Sequence, residues 1–145
     1  EEAFSALPLL VTFIPLLTDT GGNAGSQSST LIIRGMVVSE IQLSDFFTVL
    51  WKEIRVSILV GIPLCVVNYL RITFFYPDSG IVALIVSIAL FITVVLAKAI
   101  GGILPMVAKY FKVDPAIMAS PLITTIVDAF SLIVYFSIAE RLLHL

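Results

Sequence analysis

Charge is what this chain has least of. Only 12% of its 145 residues are Asp, Glu, Lys or Arg, against 59% apolar. A soluble domain of this size needs about twice that charge to cover its surface, so a water-soluble globule is excluded. The eight Lys and Arg are scattered singly or in pairs and the net charge is −2, which leaves no basic stripe for nucleic acid. One cysteine, Cys65, and one histidine, His144, rule out an internal disulfide, a zinc site and a Ser-His or Cys-His nucleophile. Cys65 lies in an apolar run and reads as a small buried hydrophobe. A basic n-region with a cleavage site is also missing. The chain opens on Glu1 and Glu2 without Met, and so reads as an excised piece of a longer protein.

What is present is a series of long apolar runs, and they predict an all-α, polytopic transmembrane bundle. The expected spans are residues 3–33, 54–75, 81–108 and 121–143, with an amphipathic, interface-lying segment at 39–53 for which Ser44 is a candidate N-cap. Tyr76-Pro77-Asp78-Ser79-Gly80 is a turn. Asp114 before Pro115 reads as the cap of a short helical turn, and Ser120-Pro121 repeats that signature to open the last span. Arg34, Lys52, Arg55, Lys109 and Lys112 collect on one side and Arg71 and Arg141 on the other. The basic side is expected in the cytoplasm, with both ends of the chain on the opposite side of a plasma membrane.

Two segments break the apolar rule. In the first span the apolar stretch 3–17 covers only about 22 Å, short of the roughly 30 Å hydrocarbon layer, so the span must continue into polar sequence. There, Asp19, Asn23, Gln27, Thr30 and Arg34 are spaced four, four, three and four apart, which keeps them on one helical face. Gly21, Gly22 and Gly25, with Ser29, supply small residues for close helix packing. Amides and hydroxyls at this depth are neutral oxygen donors for the water shell of a hard cation, or glue between helices. In the last span Asp128 sits among Ile126, Val127, Ala129 and Phe130, with Thr124, Thr125, Ser131 and Tyr135 expected on or beside its face. A carboxylate at that depth costs several kcal/mol unless it meets water, an ion or a partner charge. Lys98, inside the third span, would either pair with a carboxylate or snorkel toward the interface.

The run Pro15-Leu-Leu-Thr-Asp-Thr-Gly-Gly-Asn-Ala-Gly-Ser-Gln-Ser-Ser-Thr-Leu-Ile-Ile-Arg34 resembles the signature of the MgtE family of magnesium channels. Val113-Asp-Pro-Ala-Ile-Met-Ala-Ser-Pro-Leu-Ile-Thr-Thr-Ile-Val-Asp128 resembles that family's last loop and helix. The resemblance implies a homodimeric Mg²⁺ pore in the lipid bilayer. Asp128 would be its carboxylate and Thr124 would contribute a backbone carbonyl. The same resemblance maps pore-lining roles onto Asn23 and Thr30. Gln27 and Thr125 join the lining from their place on the two stripes. Ser120 stands where some members carry Asn, and is a further lining candidate. The family has five spans, of which this chain matches the last four, and many members carry cytoplasmic CBS-type regulatory domains before them. Mg²⁺ is then transported cargo and no enzymatic activity is expected. A second reading is a Na⁺- or H⁺-coupled divalent-cation transporter. An intramembrane aspartyl protease would need Asp114 and Asp128 together inside the bilayer, whereas Asp114 falls in a loop.

Overall fold

The computed structural model describes residues 2–118 and 120–144, except for the side chains of residues 2–5 and Ser120. Five helices follow one another: α1 (Glu2–Thr12), α2 (Ile14–Val37), α3 (Phe46–Phe75), α4 (Gly80–Tyr110) and α5 (Ser120–Leu143). Single 3₁₀ turns, Leu43–Asp45 and Pro115–Met118, precede α3 and α5. No strand occurs among the described residues. This is an all-α bundle, and three of its helical segments are long and apolar enough to cross a membrane: Leu43–Phe75, Gly80–Tyr110 and Pro121–Leu143.

The expected first span is where sequence and structure part. It is two helices, because Pro15 has no N–H to continue the ladder and the chain breaks at Phe13. With 24 residues α2 is about 36 Å long, enough to cross, but its polar run keeps it out of the apolar set. Residues 46–53 of the expected interfacial segment form the first turns of the following span's helix. α3 is continuous from Phe46, and buries Val49, Glu53, Ser57, Gly61, Asn68 and Ile72 along one face. Gln42, rather than Ser44, caps the 3₁₀ turn that leads into it: the Gln42 backbone N–H donates to the Asp45 carboxylate at 2.8 Å.

α4 is the centre. Val82, Ala83, Ile85, Val86, Ala89, Val94 and Ala97 are fully or almost fully buried, and its neighbours are α2, α3 and α5. At one end these side chains meet Leu10, Phe13, Leu17, Ile72 and Tyr135. At the other, the basic end, Met106 packs with Ile32, Met36 and Val49. The outward face of α3 is bare: Leu59, Val67, Leu70 and Phe74 are exposed. In water such a face would be a liability, whereas against lipid it is the expected surface.

Lipid is as apolar as leucine, so these helices gain little by hiding from it and must instead pack closely. Glycine permits that. A Cβ on Gly101 would collide with the backbone carbonyl of Gly25, so α2 and α4 touch main chain to main chain. A Cβ on Gly21 would lie 2.7 Å from Thr93 Cγ2, and one on Gly25 3.2 Å from the Ala97 carbonyl. Those matched steps show that α2 and α4 run side by side in the same direction. Where chain reversals follow α2 and α4, Ser39 and Lys112 adopt left-handed conformations, with φ of 62° and 59°. Glu40 N–H then bonds Gly35 O at 2.9 Å and Val113 N–H bonds Ala108 O at 2.9 Å, closing both helix ends as Schellman caps.

Gly101→Val should destabilise the detergent-solubilised protein at or beyond the upper end of the roughly 1–3 kcal/mol that overpacking costs, because the obstacle is backbone. Gly80→Ala, with nothing within 4 Å of its added methyl, should stay within about 0.5 kcal/mol of wild type in the same thermal melts.

Candidate functional site: a polar groove between α2 and α5

The faces of α2 decide what each of its polar residues can do. Gly21, Gly25, Ser28, Ser29 and Ile32 are buried. Asp19, Asn23, Gln27, Thr30 and Arg34 are exposed along the opposite side. Small residues let α5 approach: a Cβ on Gly22 would lie 3.1 Å from Thr124 Cγ2 and 3.8 Å from Asp128 Oδ1, and one on Gly25 would lie 2.9 Å from Ile123. Ser29 Oγ donates to the Met118 carbonyl at 2.7 Å, fastening α2 to the turn from which α5 starts. That turn is itself capped, since Ala116 N–H donates to Asp114 Oδ1 at 2.9 Å. Asp114 therefore caps rather than binds.

Where α2 and α5 meet, a groove of about 320 Å³ opens, lined by Pro15, Thr18, Asp19, Gly22, Asn23, Thr124 and Asp128. Two carboxylates, an amide and two threonines thus converge. Asp128 is half-buried, and its carboxylate accepts no hydrogen bond among the described residues. Both threonine hydroxyls at the start of α5 turn back on their own helix, Thr124 and Thr125 each donating to Pro121 O, at 3.0 and 2.9 Å. Gly22 opens the groove beside Thr124 and Asp128, while Gly21 and Gly25 fit α2 against α4 and α5.

The groove gathers only some of the residues singled out from sequence. Asp128, Thr124 and Asn23 line it together. Gln27 and Thr30 lie further along the same exposed face of α2, toward Arg34 and the basic end. Thr125 is exposed but sits about 100° round α5 from Thr124, outside the lining. The Ser120 side chain lies outside the described residues. The expected stripe on α5 does not hold together. Ser131 is buried and donates to Val127 O at 2.7 Å, and Tyr135 is fully buried with its hydroxyl donating to Leu10 O at 2.8 Å. Ser131 is about 60° round the helix from Asp128, which turns it into the bundle, and Tyr135 is drawn to the kink between α1 and α2.

Three groups have neighbours that the sequence did not show. Asp19 was legible as part of the α2 stripe, but only the α5 contact shows that it shares a cavity with Asp128. Glu53 stands in the charged stretch after Lys52, yet it is 5% exposed and accepts the Ser28 hydroxyl at 2.5 Å. Lys98 is 7% exposed, donates to Ser28 Oγ at 3.3 Å and meets no carboxylate within bonding distance among the described residues. Cys65 is half-buried, its thiol pointed at Ser87 O, 3.2 Å away.

Chemically, the groove offers hard oxygen donors only. No three His, Cys, Asp or Glu side chains converge among the described residues, and the groove presents two carboxylates with neutral oxygens. Fold and groove together define a polytopic helical membrane protein with an acid-lined polar groove between two of its helices. The sequence pattern of the MgtE family, described as a divalent cation transporter, matches residues 14–138, and the chain belongs to that family. It is 35% identical over 145 residues to the magnesium transporter MgtE of Thermus thermophilus and 33% identical over 144 residues to that of Bacillus subtilis. A counterpart from Enterococcus faecalis is 26% identical over 144 residues. Each alignment covers 99% of this chain but only 32% of the relative, so the chain spans about a third of their length.

Tyr135→Phe removes one donor from Leu10 O, which keeps the Phe13 N–H at 3.1 Å. It should lower stability by about 1 kcal/mol.

Proposed function

We propose that this chain is the pore-forming membrane domain of a Mg²⁺ channel, with the groove between α2 and α5 as one wall of the ion path. One observation carries the proposal. The exposed face of α2, bearing Asp19, Asn23, Gln27 and Thr30, belongs to a helix packed among membrane-crossing helices, and such a face must be covered by protein or water because lipid offers it no hydrogen bonds. A second copy related by a two-fold axis supplies the cover and encloses the water. It would also bring two Asp128 carboxylates toward each other across the path, where their repulsion is relieved by a dication.

Mg²⁺ suits this lining for a reason of its own. It dehydrates reluctantly and keeps several waters, so few carboxylates and many neutral oxygens are enough. Asp128 and Asp19 hold the hydrated ion through its waters, with Asn23 and the Thr124 backbone carbonyl bonding the same shell. Gln27 and Thr30 continue the polar lining toward the basic end, which faces the cytoplasm by its excess of Lys and Arg. Affinity stays weak enough for release because no ligand replaces the inner waters. The names of the relatives support Mg²⁺ as the cargo. Their extra length leaves room for a further helix and for cytoplasmic CBS-type regulatory domains in the natural protein.

In reconstituted liposomes Asp128→Asn and Asp128→Ala should each reduce Mg²⁺ uptake at least 100-fold. Uptake by the wild type should need neither a Na⁺ nor a proton gradient. Wild-type flux from Asp128→Asn would remove the carboxylate from the path. Uptake that vanishes when the Na⁺ or proton gradient is abolished would make the protein a coupled transporter instead.

A further inference from the structure

Behind the groove, on the far side of α2, lies a second polar cluster that the ion path does not use. Ser28 is fully buried; its hydroxyl donates to Glu53 Oε2 on α3 at 2.5 Å and accepts from Lys98 Nζ on α4 at 3.3 Å. Glu53 and Lys98 are 5% and 7% exposed, and one hydroxyl joins them across three helices. The space is built for it. A Cβ on Gly102 would lie 2.9 Å from Glu53 Cγ, so glycine there makes room for the glutamate. The Gly25–Gly101 backbone contact, one helical turn from both Ser28 and Lys98, brings α2 within reach of α4. A cavity of about 410 Å³ reaches Glu53 and Lys98 from the basic end, past Arg34, Glu40 and Lys52.

Two opposite charges buried in a membrane bundle are tolerable only as a compensated pair, and here the compensation passes through α2. Ser28 follows Gln27 directly and lies two residues before Thr30, on the opposite side of the helix. Whatever fixes the rotation of α2 at Ser28 fixes which way Gln27 and Thr30 face. We infer that Glu53 and Lys98, acting through Ser28, are positioning residues that hold the polar face of α2 toward the ion path. The inference rests on the proposed path between α2 and α5. What matters is the balance of the pair, not the charge of either member, since neither touches the groove.

The test uses the full-length protein in liposomes, with Mg²⁺ flux and the Mg²⁺/Na⁺ flux ratio normalised to the monodisperse, folded fraction. Glu53→Gln and Lys98→Met should each lower Mg²⁺ flux per folded molecule ten-fold or more and lower the ratio, as the side chains of Gln27 and Thr30 rotate off the path. The combined Glu53→Gln/Lys98→Met variant leaves no buried charge unpaired and should recover to within about three-fold of wild type. If a single variant does not fold, the combined one still decides. A combined variant that folds yet conducts at least ten-fold less than wild type would overturn the inference, because the groups would then be acting as charge carriers. Folded single variants with wild-type flux and ratio would overturn it too, leaving the cluster a purely structural one. Asp128→Asn, run in parallel, separates the two claims. Its loss of flux beside unaltered Glu53→Gln sinks this inference alone, and its wild-type flux sinks the ion path.

Discussion

Everything in this bundle follows from putting one polar helix among membrane-crossing helices, where lipid cannot solvate it. α2 carries an aspartate, an asparagine, a glutamine and a run of hydroxyls between its Pro15 break and Arg34, and each of those groups needs a partner. The structure divides them between two faces. Small residues and hydroxyls turn inward, where α3, α4 and the turn before α5 satisfy Ser28 and Ser29. Asp19 and Asn23 turn outward beside Asp128 of α5, and Gln27 lies further along the same exposed face. The second set has no cover within a single chain.

Close approach makes the division possible. Gly25 against Gly101 brings two main chains into contact, and Gly22 leaves Thr124 and Asp128 open to the groove. Because dispersion and hydrogen bonds replace the hydrophobic effect between helices in lipid, these contacts hold the helices together as well as shape the site. The same geometry buries Lys98 and Glu53 on the opposite side of α2, so the groove and the charged cluster share one helix as a wall. A rotation of α2 would expose the cluster and hide the lining together.

Much of this was legible from residue types alone. Hydropathy gave α3, α4 and α5, and the four-residue spacing of Asp19, Asn23, Gln27 and Thr30 gave one face of α2, because helical periodicity is local physics. The motifs around Asn23 and Asp128 gave the family. Rotation was not legible. Ser131 and Tyr135 share a nominal face with Asp128, yet Tyr135 is pulled to Leu10, and only the packing of α1 onto α5 shows it. Glu53 was hidden for a similar reason: Lys52 and Glu53 look alike in a polar stretch, and only Ser28, 25 residues away, distinguishes the buried one. Long-range partners decide burial, and no periodicity encodes them.

The central claim is that the outward face of α2 borders water that Mg²⁺ can enter. Single cysteines along α2, in a Cys65→Ser background, probed with a membrane-impermeant thiol reagent, test it most directly. The account predicts rapid labelling at 23, 27 and 30, slowed several-fold by millimolar Mg²⁺, and little labelling at 17, 28 and 32. Labelling that is absent at 23, 27 and 30, or indifferent to Mg²⁺ there, would contradict it.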